Sequence, residues 1–437
     1  MPSEASTHLL AYASKRLRAL NSRSYRVVSP STNTSSATLG QTIEFRIPGN
    51  QAASFLDNAT MYIKFNVANS GSNFNLEGKS GAYAFIKKID ILTSGQTISS
   101  VDNYNVLHSC FIDTDTSVQY GNNVGSVLSG MNNTAVGQLI GNGTNADFVL
   151  PFVMNCIANS KKYIPLFSRD ALVIKIQLDT ALNSVKTNGT DTVNDNQITI
   201  STPELIYNVV ELDATAFAAV SDSVGGKFEI VADDYRHTSA TVPNNANQTF
   251  VANLGFAFSS LNRVIVAQRN SVRQSANTLC IGNRQRRGLI ECNLLLNGES
   301  IPSRPIRISD QASEALAELL VADRALLSSD HDSRLNLDNG FAENDRTGID
   351  AANTGHFLVQ IDTESMRSNS DDPGIYSGIS SIGSVSQLVL KYGNTVNTGG
   401  AGGGAGDGGP TILDVYAQYT TLLSLDMNSS QVFIVSN

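Results

Sequence analysis

One pattern is written twice in this chain, and it constrains the fold more than any other feature. Residues 86–102 (Ile-Lys-Lys-Ile-Asp-Ile-Leu-Thr-Ser-Gly-Gln-Thr-Ile-Ser-Ser-Val-Asp) read as strand, turn, strand. Residues 289–305 (Leu-Ile-Glu-Cys-Asn-Leu-Leu-Leu-Asn-Gly-Glu-Ser-Ile-Pro-Ser-Arg-Pro) read the same way. In both, a polar residue precedes glycine (Ser94-Gly95, Asn297-Gly298), a polar pair follows, and then isoleucine (Ile98, Ile301). A polar-Gly pair between alternating apolar residues is a hairpin signal, because the tight turns that match strand twist need positive φ at the central residues. The two copies lie about 200 residues apart, roughly the size of one β domain, and 437 residues leave room for two such domains.

Period-two alternation recurs on both sides of these hairpins. Thr42–Ile47 ends at Pro48-Gly49, a turn signal. Met61, Ile63, Phe65 and Val67 alternate with Tyr62, Lys64 and Asn66, and Leu172, Ile174, Ile176 and Leu178 alternate with Val173, Lys175 and Gln177. Such alternation marks a strand with one buried face. Further strands are expected at 198–201, 205–212, 227–231, 248–258, 263–267, 357–362, 386–390 and 411–425. One long helix is expected at 310–327, with Asp310 as N-cap and Ala312, Leu316, Leu319, Leu320 and Leu327 as its apolar stripe; a shorter counterpart follows the first hairpin at 105–112. The polar stretches 121–147 and 183–196 are too long for hairpin turns and read as surface loops. The small, polar segment 215–226 marks the boundary between halves. The reading is therefore all-β: roughly eight strands per half without alternating helices, which points to antiparallel sandwiches. Eight-stranded jelly rolls are one way to protect the sheet edges. The segments are a basic N-terminal arm at 1–26, a first domain at 27–222 and a second at 223–437.

Charge is unevenly spread. The net charge is −9, but the first 26 residues carry Lys15, Arg16, Arg18, Arg23 and Arg26 against Glu4, or +4, leaving −13 (−9 minus +4) on the rest. Within the arm, Leu9, Leu10, Ala13, Leu17 and Leu20 fall near one face of a helix. The simpler reading is a helix docked on its own or a neighbouring subunit; the functional one is a basic arm touching nucleic acid or an anionic membrane. No apolar run is long enough for a membrane-spanning helix, and the start lacks the pattern of a secretory signal.

Catalytic equipment is sparse. His8, His108, His237, His331 and His356 form no metal-type pair, and Cys110, Cys156, Cys280 and Cys292 lack zinc spacing; buried, reduced thiols are expected. Asp330-His331-Asp332 fits no calcium loop and reads as a solvated loop. Asp233-Asp234 near Arg236 reads as a surface ion pair or turn. Arg284-Gln285-Arg286-Arg287 reads as a loop making salt bridges between subunits. The glycine-rich stretch 399–409 lacks the Gly-Lys-Ser/Thr ending of a phosphate loop and reads as a flexible loop. No catalytic, cofactor-binding or metal-binding residue is assigned, and a building block is favoured over an enzyme. A two-domain β-sandwich lectin or adhesin is the alternative, although the chain has no Trp with which to build a sugar platform.

Several stretches resemble one family. Phe55-Leu56-Asp57 with Met61-Tyr62-Ile63-Lys64-Phe65, the hairpin 85–100, and Asp102-Asn103-Tyr104-Asn105-Val106-Leu107 with its Asn-Tyr helix start are similar to the early strands of double jelly-roll major capsid proteins. Ile164-Pro165-Leu166-Phe167, Leu172–Leu178, and 198–213 resemble the closing strands of that family's first roll. The likeness is to capsid proteins of tailless icosahedral double-stranded DNA viruses, the polinton-like viruses and virophages. It implies two tandem eight-stranded antiparallel jelly rolls with short helices and long loops. It also implies a homotrimer that forms a pseudo-hexagonal capsomer and meets neighbouring capsomers, penton and minor capsid proteins in the shell of a virion. By the same analogy 121–147, 183–196, 336–353 and 395–410 are outer loops. Lys15, Arg16, Arg18, Arg23 and Arg26 would face the inner side, toward an internal membrane, a minor protein or packaged DNA.

Overall fold

The computed structural model describes residues 22–49, 51–132, 136–160, 162–167, 170–187, 191–225, 227–243, 247–270, 282, 284–309, 311–326, 355–364, 377–393, 410–426 and 432–436. The first half contributes β1 (Ser22–Pro30), β2 (Ser36–Thr38), β3 (Thr42–Ile47), β4 (Ser54–Asn69), β5 (Phe74–Glu77), β6 (Ile86–Thr93), β7 (Gln96–Asp102), β8 (Val136–Ile140), β9 (Asn145–Pro151), β10 (Ile164–Pro165), β11 (Leu172–Leu178), β12 (Val185–Thr187) and β13 (Ile198–Leu212). The second contributes β14 (Lys227–Val242), β15 (Thr249–Asn253), β16 (Leu261–Asn270), β17 (Leu289–Leu296), β18 (Glu299–Arg307), β19 (Val359–Asp362), β20 (Ser386–Tyr392), β21 (Thr411–Asp426) and β22 (Val432–Ser436).

The pairing of these strands repeats. One first-half sheet runs β1-β13-β4-β10 and its partner runs β3-β11-β6-β7; the second half has β14-β21-β16-β19 and β15-β20-β17-β18. Taking the eight shared strands of each half in chain order, both halves are wired 1-8-3-6 and 2-7-4-5. All pairings between named strands are antiparallel, and first and last strands lie side by side. That wiring is a jelly roll, in which long connections bring distant strands together. The chain is thus a double jelly roll.

Alternation supplies the faces. β11 buries Leu172, Ile174, Ile176 and Leu178, and β4 buries Met61, Ile63, Phe65 and Val67. The buried apolar residues form one cluster that continues through both halves. Both hairpins close as the sequence predicts: Thr93 pairs with Gln96 and Leu296 with Glu299, across two-residue turns. Ser94 and Gly95 have φ of 48° and 77°, Asn297 and Gly298 52° and 84°, the double left-handed geometry that strand twist favours.

Several expectations change. Ser22–Arg26, the end of the expected arm, already pair with β13 as the start of β1. Segments 198–201 and 205–212 are one strand, β13, interrupted by a register shift at Ser201/Glu204. Segment 121–147 is not a plain loop: it holds the helix Val124–Ser129, β8 and the start of β9, and β8 joins a small sheet, β12-β5-β8, that also takes up part of 183–196. The boundary segment is a helix, Ala214–Ser223, capped by the Asp213 carboxylate on the Ala216 N–H. The second-half helix is shorter than expected, Ala312–Ala322, preceded by Gln311 without a side-chain cap; Asp310 and Leu327 lie outside the described residues. Ala315 joins Leu319 as its most buried residue. The first-half helix, Tyr104–Asp115, is the longer of the two, because Val106, Leu107, Cys110 and Ile112 and the polar residues between them are covered.

Candidate assembly interface between the two rolls

The two rolls meet along a buried polar seam. It is built where the first roll's hairpin strand β7 packs on β14 of the second, and where the Tyr104–Asp115 helix and its cap Asn103 meet Arg284, His356 and β21. Three carboxylates lie within it, each completely buried: Asp113, Asp234 and Asp414. A buried carboxylate persists only with partners, since an unpaired one would be strongly destabilising. Each of the three finds partners across the seam.

Asp113 lies in the last turn of the first-half helix. Its Oδ1 is 2.9 Å from Nδ1 of His356, and its Oδ2 accepts from the Arg284 guanidinium. The Nζ of Lys79 is 3.6 Å away and donates to the Gly355 carbonyl. Arg284 donates as well to Cys110 Sγ at 3.1 Å and to the Ser109 carbonyl at 3.3 Å. The guanidinium of one roll is thereby enclosed by a helix of the other.

Asp414, on β21, accepts from Arg269 Nε at 2.5 Å and lies 2.9 Å from His237 Nε2 within its own roll. Across the seam, Asn103 Nδ2 donates to its Oδ1 at 3.0 Å. The Tyr416 hydroxyl donates to the Asn103 carbonyl at 2.8 Å. Asn103 reaches both because it caps the first-half helix in the left-handed conformation, φ 45° and ψ 45°. Asparagine tolerates that conformation better than most side chains. Burial by itself would raise the Asp414 pKa, but the Arg269 charge and the His237 contact outweigh it and hold this carboxyl well below its ordinary range.

Asp234, on β14, accepts from Ser99 Oγ of β7 at 2.7 Å and from the Tyr419 hydroxyl at 3.1 Å. No cation contacts it among the described residues, so desolvation dominates and pushes its pKa up to about 6. Beside it, the Asp233 carbonyl accepts from Asn159 of the first roll at 2.9 Å. An aromatic cluster closes one end of the seam: Phe55 and Phe167 of the first roll lie 6.2 and 5.0 Å from Phe228 of β14, and Phe217 of the connecting helix lies 4.8 Å from Phe167.

A polar cleft of about 230 Å³ opens at the same seam, lined by Asp115 of the first roll and by Asp233, Arg263, Asp323, Arg324 and Glu364 of the second. Its arginines are already paired, Arg263 with Asp323 and Arg324 with Glu364 at 2.5 Å. Among the described residues, no group of three or more His, Cys, Asp or Glu is arranged to hold a metal ion. Cys110, Cys156 and Cys292 are buried free thiols, and burial pushes their pKa values up, Cys292 to about 12. They are therefore poor nucleophiles. The arrangement fixes one domain against another.

Two sequence readings change at this seam. Arg284 and Arg287 are not on a surface loop facing other subunits: both are buried, Arg284 against Asp113 and Arg287 donating to Thr411 at 2.6 Å. Asp234 is not in a surface ion pair or turn but in the interior of β14, held by hydroxyls. The Asn103-Tyr104 helix start, which the sequence offered only as a family resemblance, lies at the seam. Of the proposed inner-surface cations, Arg23 and Arg26 are on β1; Arg23 pairs with Glu211 at 2.7 Å and lies over the Tyr25 ring. Lys15, Arg16 and Arg18 lie outside the described residues, as do Cys280, Asp330-His331-Asp332, segments 336–353 and 399–409, and nearly all of 395–410.

No protein-family model matches the sequence, and no curated protein is similar to it. Solved structures share the fold over almost the whole chain. The PBCV-1 virus capsid aligns with a TM-score of 0.63 at 12% identity, over 97% of this chain and 99% of that one. The Faustovirus major capsid protein aligns at 0.59 and 8%, over 97% and 94%. The mavirus major capsid protein aligns at 0.53 and 10%, over 99% and 93%. The double jelly roll is thus common to this chain and to viral major capsid proteins.

Proposed function

We propose that this chain is a viral major capsid protein, the subunit that trimerises into a pseudo-hexagonal capsomer and tiles an icosahedral shell. The observation that carries this reading is the joining of two jelly rolls of identical wiring across a buried seam, in a fold shared end to end with viral capsid proteins. Three copies of such a chain supply six comparable rolls, and closed symmetry then makes a six-sided tile. The chemistry fits a structural role: the buried carboxylates are tied up in domain docking, and the buried thiols are protonated. Lys15, Arg16 and Arg18 are assigned to the inner side of the shell, where their charge suits a minor protein, an internal membrane or packaged DNA. Light scattering of the purified protein, followed by electron microscopy, tests the reading. Trimers and hexagonal tiles are expected; a monodisperse monomer under all assembly conditions would rule it out.

A further inference from the structure

In the second roll the docking surface is the β14-β21 sheet, whose Asp234, Asp414 and Tyr416 meet the first roll. The other sheet of each roll, β3-β11-β6-β7 or β15-β20-β17-β18, has an open outer side. There, half-buried or exposed residues alternate with the core residues of β6, β11, β17 and β20. On these two open faces, equivalent positions carry opposite charges. Lys88 of β6 and Glu291 of β17 occupy the same place relative to the turns that the Thr93–Gln96 and Leu296–Glu299 pairs close. Lys88 is flanked by Gln177 of β11 and Asp102 of β7, and Glu291 by Lys391 of β20 and Arg307 of β18. One row therefore reads neutral, positive, negative, and its equivalent positive, negative, positive. Resting on the capsid reading, we propose that these rows specify how capsomers meet: the open face of a first roll in one capsomer seats on the open face of a second roll in its neighbour, never on another first roll.

Geometry fixes which charges would meet. The internal seam runs along the strands, touching β14 at Phe228 and Asp234 and β21 at Asp414, which lies level with Ser239. Rolls set side by side in this way make a ring whose axis follows the strands, so neighbouring capsomers present equivalent rows at one height. Two sheets that face each other run their strand order in opposite senses. With β6 opposite β17, Lys88 meets Glu291, Asp102 meets Lys391 and Gln177 meets Arg307. Along the same strands Asp90 meets Asn293 and Leu92 meets Leu295, all four half-buried. Two first-roll faces would instead set Lys88 against Lys88 and Asp90 against Asp90. Two second-roll faces would set Glu291 against Glu291 and Lys391 against Arg307. Like charges brought together in this way suppress the wrong pairing. The charged groups are within reach of a partner: the side chains are 54% exposed at Lys391, 43% at Arg307, 29% at Glu291 and 28% at Lys88. Their present partners are in their own roll, Lys88 with Asp90 at 3.1 Å, Lys391 with Glu291 at 3.4 Å and Arg307 with Glu314 at 3.6 Å. Surface pairs of this kind are weak and exchange readily.

Charge reversal tests the pairing. Lys88→Glu and Glu291→Lys are made singly and together in the full-length protein, with oligomeric state read by light scattering and tiling by electron microscopy. Each single variant is expected to remain trimeric, with an unchanged circular-dichroism spectrum, and to lose the tiled arrays. The double variant is expected to regain them, because each reversed charge again meets its opposite. Single variants that tile like the wild type overturn the proposal, and so does a double variant that stays trimeric without regaining arrays. A second readout needs no substitution. Carbodiimide coupling of wild-type assemblies, followed by mass spectrometry, is expected to join Lys88 to Glu291 and Lys391 to Asp102, links missing from free trimers. Assemblies without those links, or with Lys88 joined to Lys88 by a short amine-reactive cross-linker, overturn the proposal whatever the variants do. A protein that gives no trimers, or trimers that never tile, refutes the capsid reading instead.

Discussion

Asp234 and Asp414 sit on paired strands of one sheet, yet their surroundings move the two carboxyls in opposite directions. Among the described residues Asp234 is bonded by hydroxyls and backbone, and burial pushes its pKa up to about 6, against 3.8 for an ordinary aspartate. Between those two values the unfolded chain has released this proton while the folded chain keeps it. Its contribution therefore falls as pH rises through that window, by about 3 kcal/mol for two units. Asp414 has the opposite sign, because Arg269 and His237 favour its charged form. Its contribution is present above the ordinary aspartate pKa and is lost as pH falls below it. Asp234→Asn is expected to flatten the decline in stability between about pH 4 and pH 6, read as urea midpoints at fixed protein concentration. An unchanged slope would show that Asp234 is not the group responsible. Ion pairs are ranked by burial in the same way. Asp113→Ala strands Arg284 and Lys79 in the interior and is expected to cost about 3–5 kcal/mol. Glu211→Ala breaks an exposed pair with Arg23 and is expected to cost about 0–1 kcal/mol. Denaturant titration of the two variants measures the contrast.

At the scale of elements, the two hairpins depend on backbone that side chains resist. Gly298 has φ of 84° with nothing near the position of a Cβ, so Gly298→Ala is opposed only by conformation and is expected to cost about 1–2 kcal/mol. Gly81 also has positive φ, but there a Cβ would stand 2.2 Å from the Ser129 carbonyl oxygen. Gly81→Ala is therefore expected to destabilise the first roll by more than Gly298→Ala destabilises the second; equal losses in thermal denaturation would count against this account. The helices show how local pattern and burial part company. The apolar periodicity of 312–322 is easy to read in the sequence. Tyr104–Asp115 is harder, since His108, Ser109 and Asp113 interrupt its stripe. Ser109 and Asp113 are buried because Arg284 of the second roll lies against them, and His108 because it stacks on Tyr83 of its own roll at 3.6 Å, coverings that periodicity does not encode.

At the scale of the molecule, the seam joins the two domains through both apolar and polar contacts. The apolar core continues through both rolls, and the polar bridges cross between them. Wild-type protein is accordingly expected to unfold in a single calorimetric transition. Asp113→Ala is expected to lower the temperature of that transition without splitting it, because the Asn103–Asp414 and Ser99–Asp234 bridges and the shared core still couple the halves. A wild type that already unfolds in two steps would remove the seam's claimed role.

Much of this fold was legible in the sequence because its causes are local. Period-two runs such as Leu172–Leu178 and the paired Ser94-Gly95 and Asn297-Gly298 turns encode strands and hairpins within a few residues, and the repeated hairpin already indicated two similar domains. Tertiary structure alone decided where the charged residues went. Arg284 and Asp113 are 171 residues apart, and Asn103 and Asp414 are 311 apart. Nothing in an Arg-Gln-Arg-Arg run distinguishes a surface loop from a buried bridge. The difference lies in desolvation, which depends on what the completed chain places over each side chain, and only the docking of one roll on the other supplies that cover.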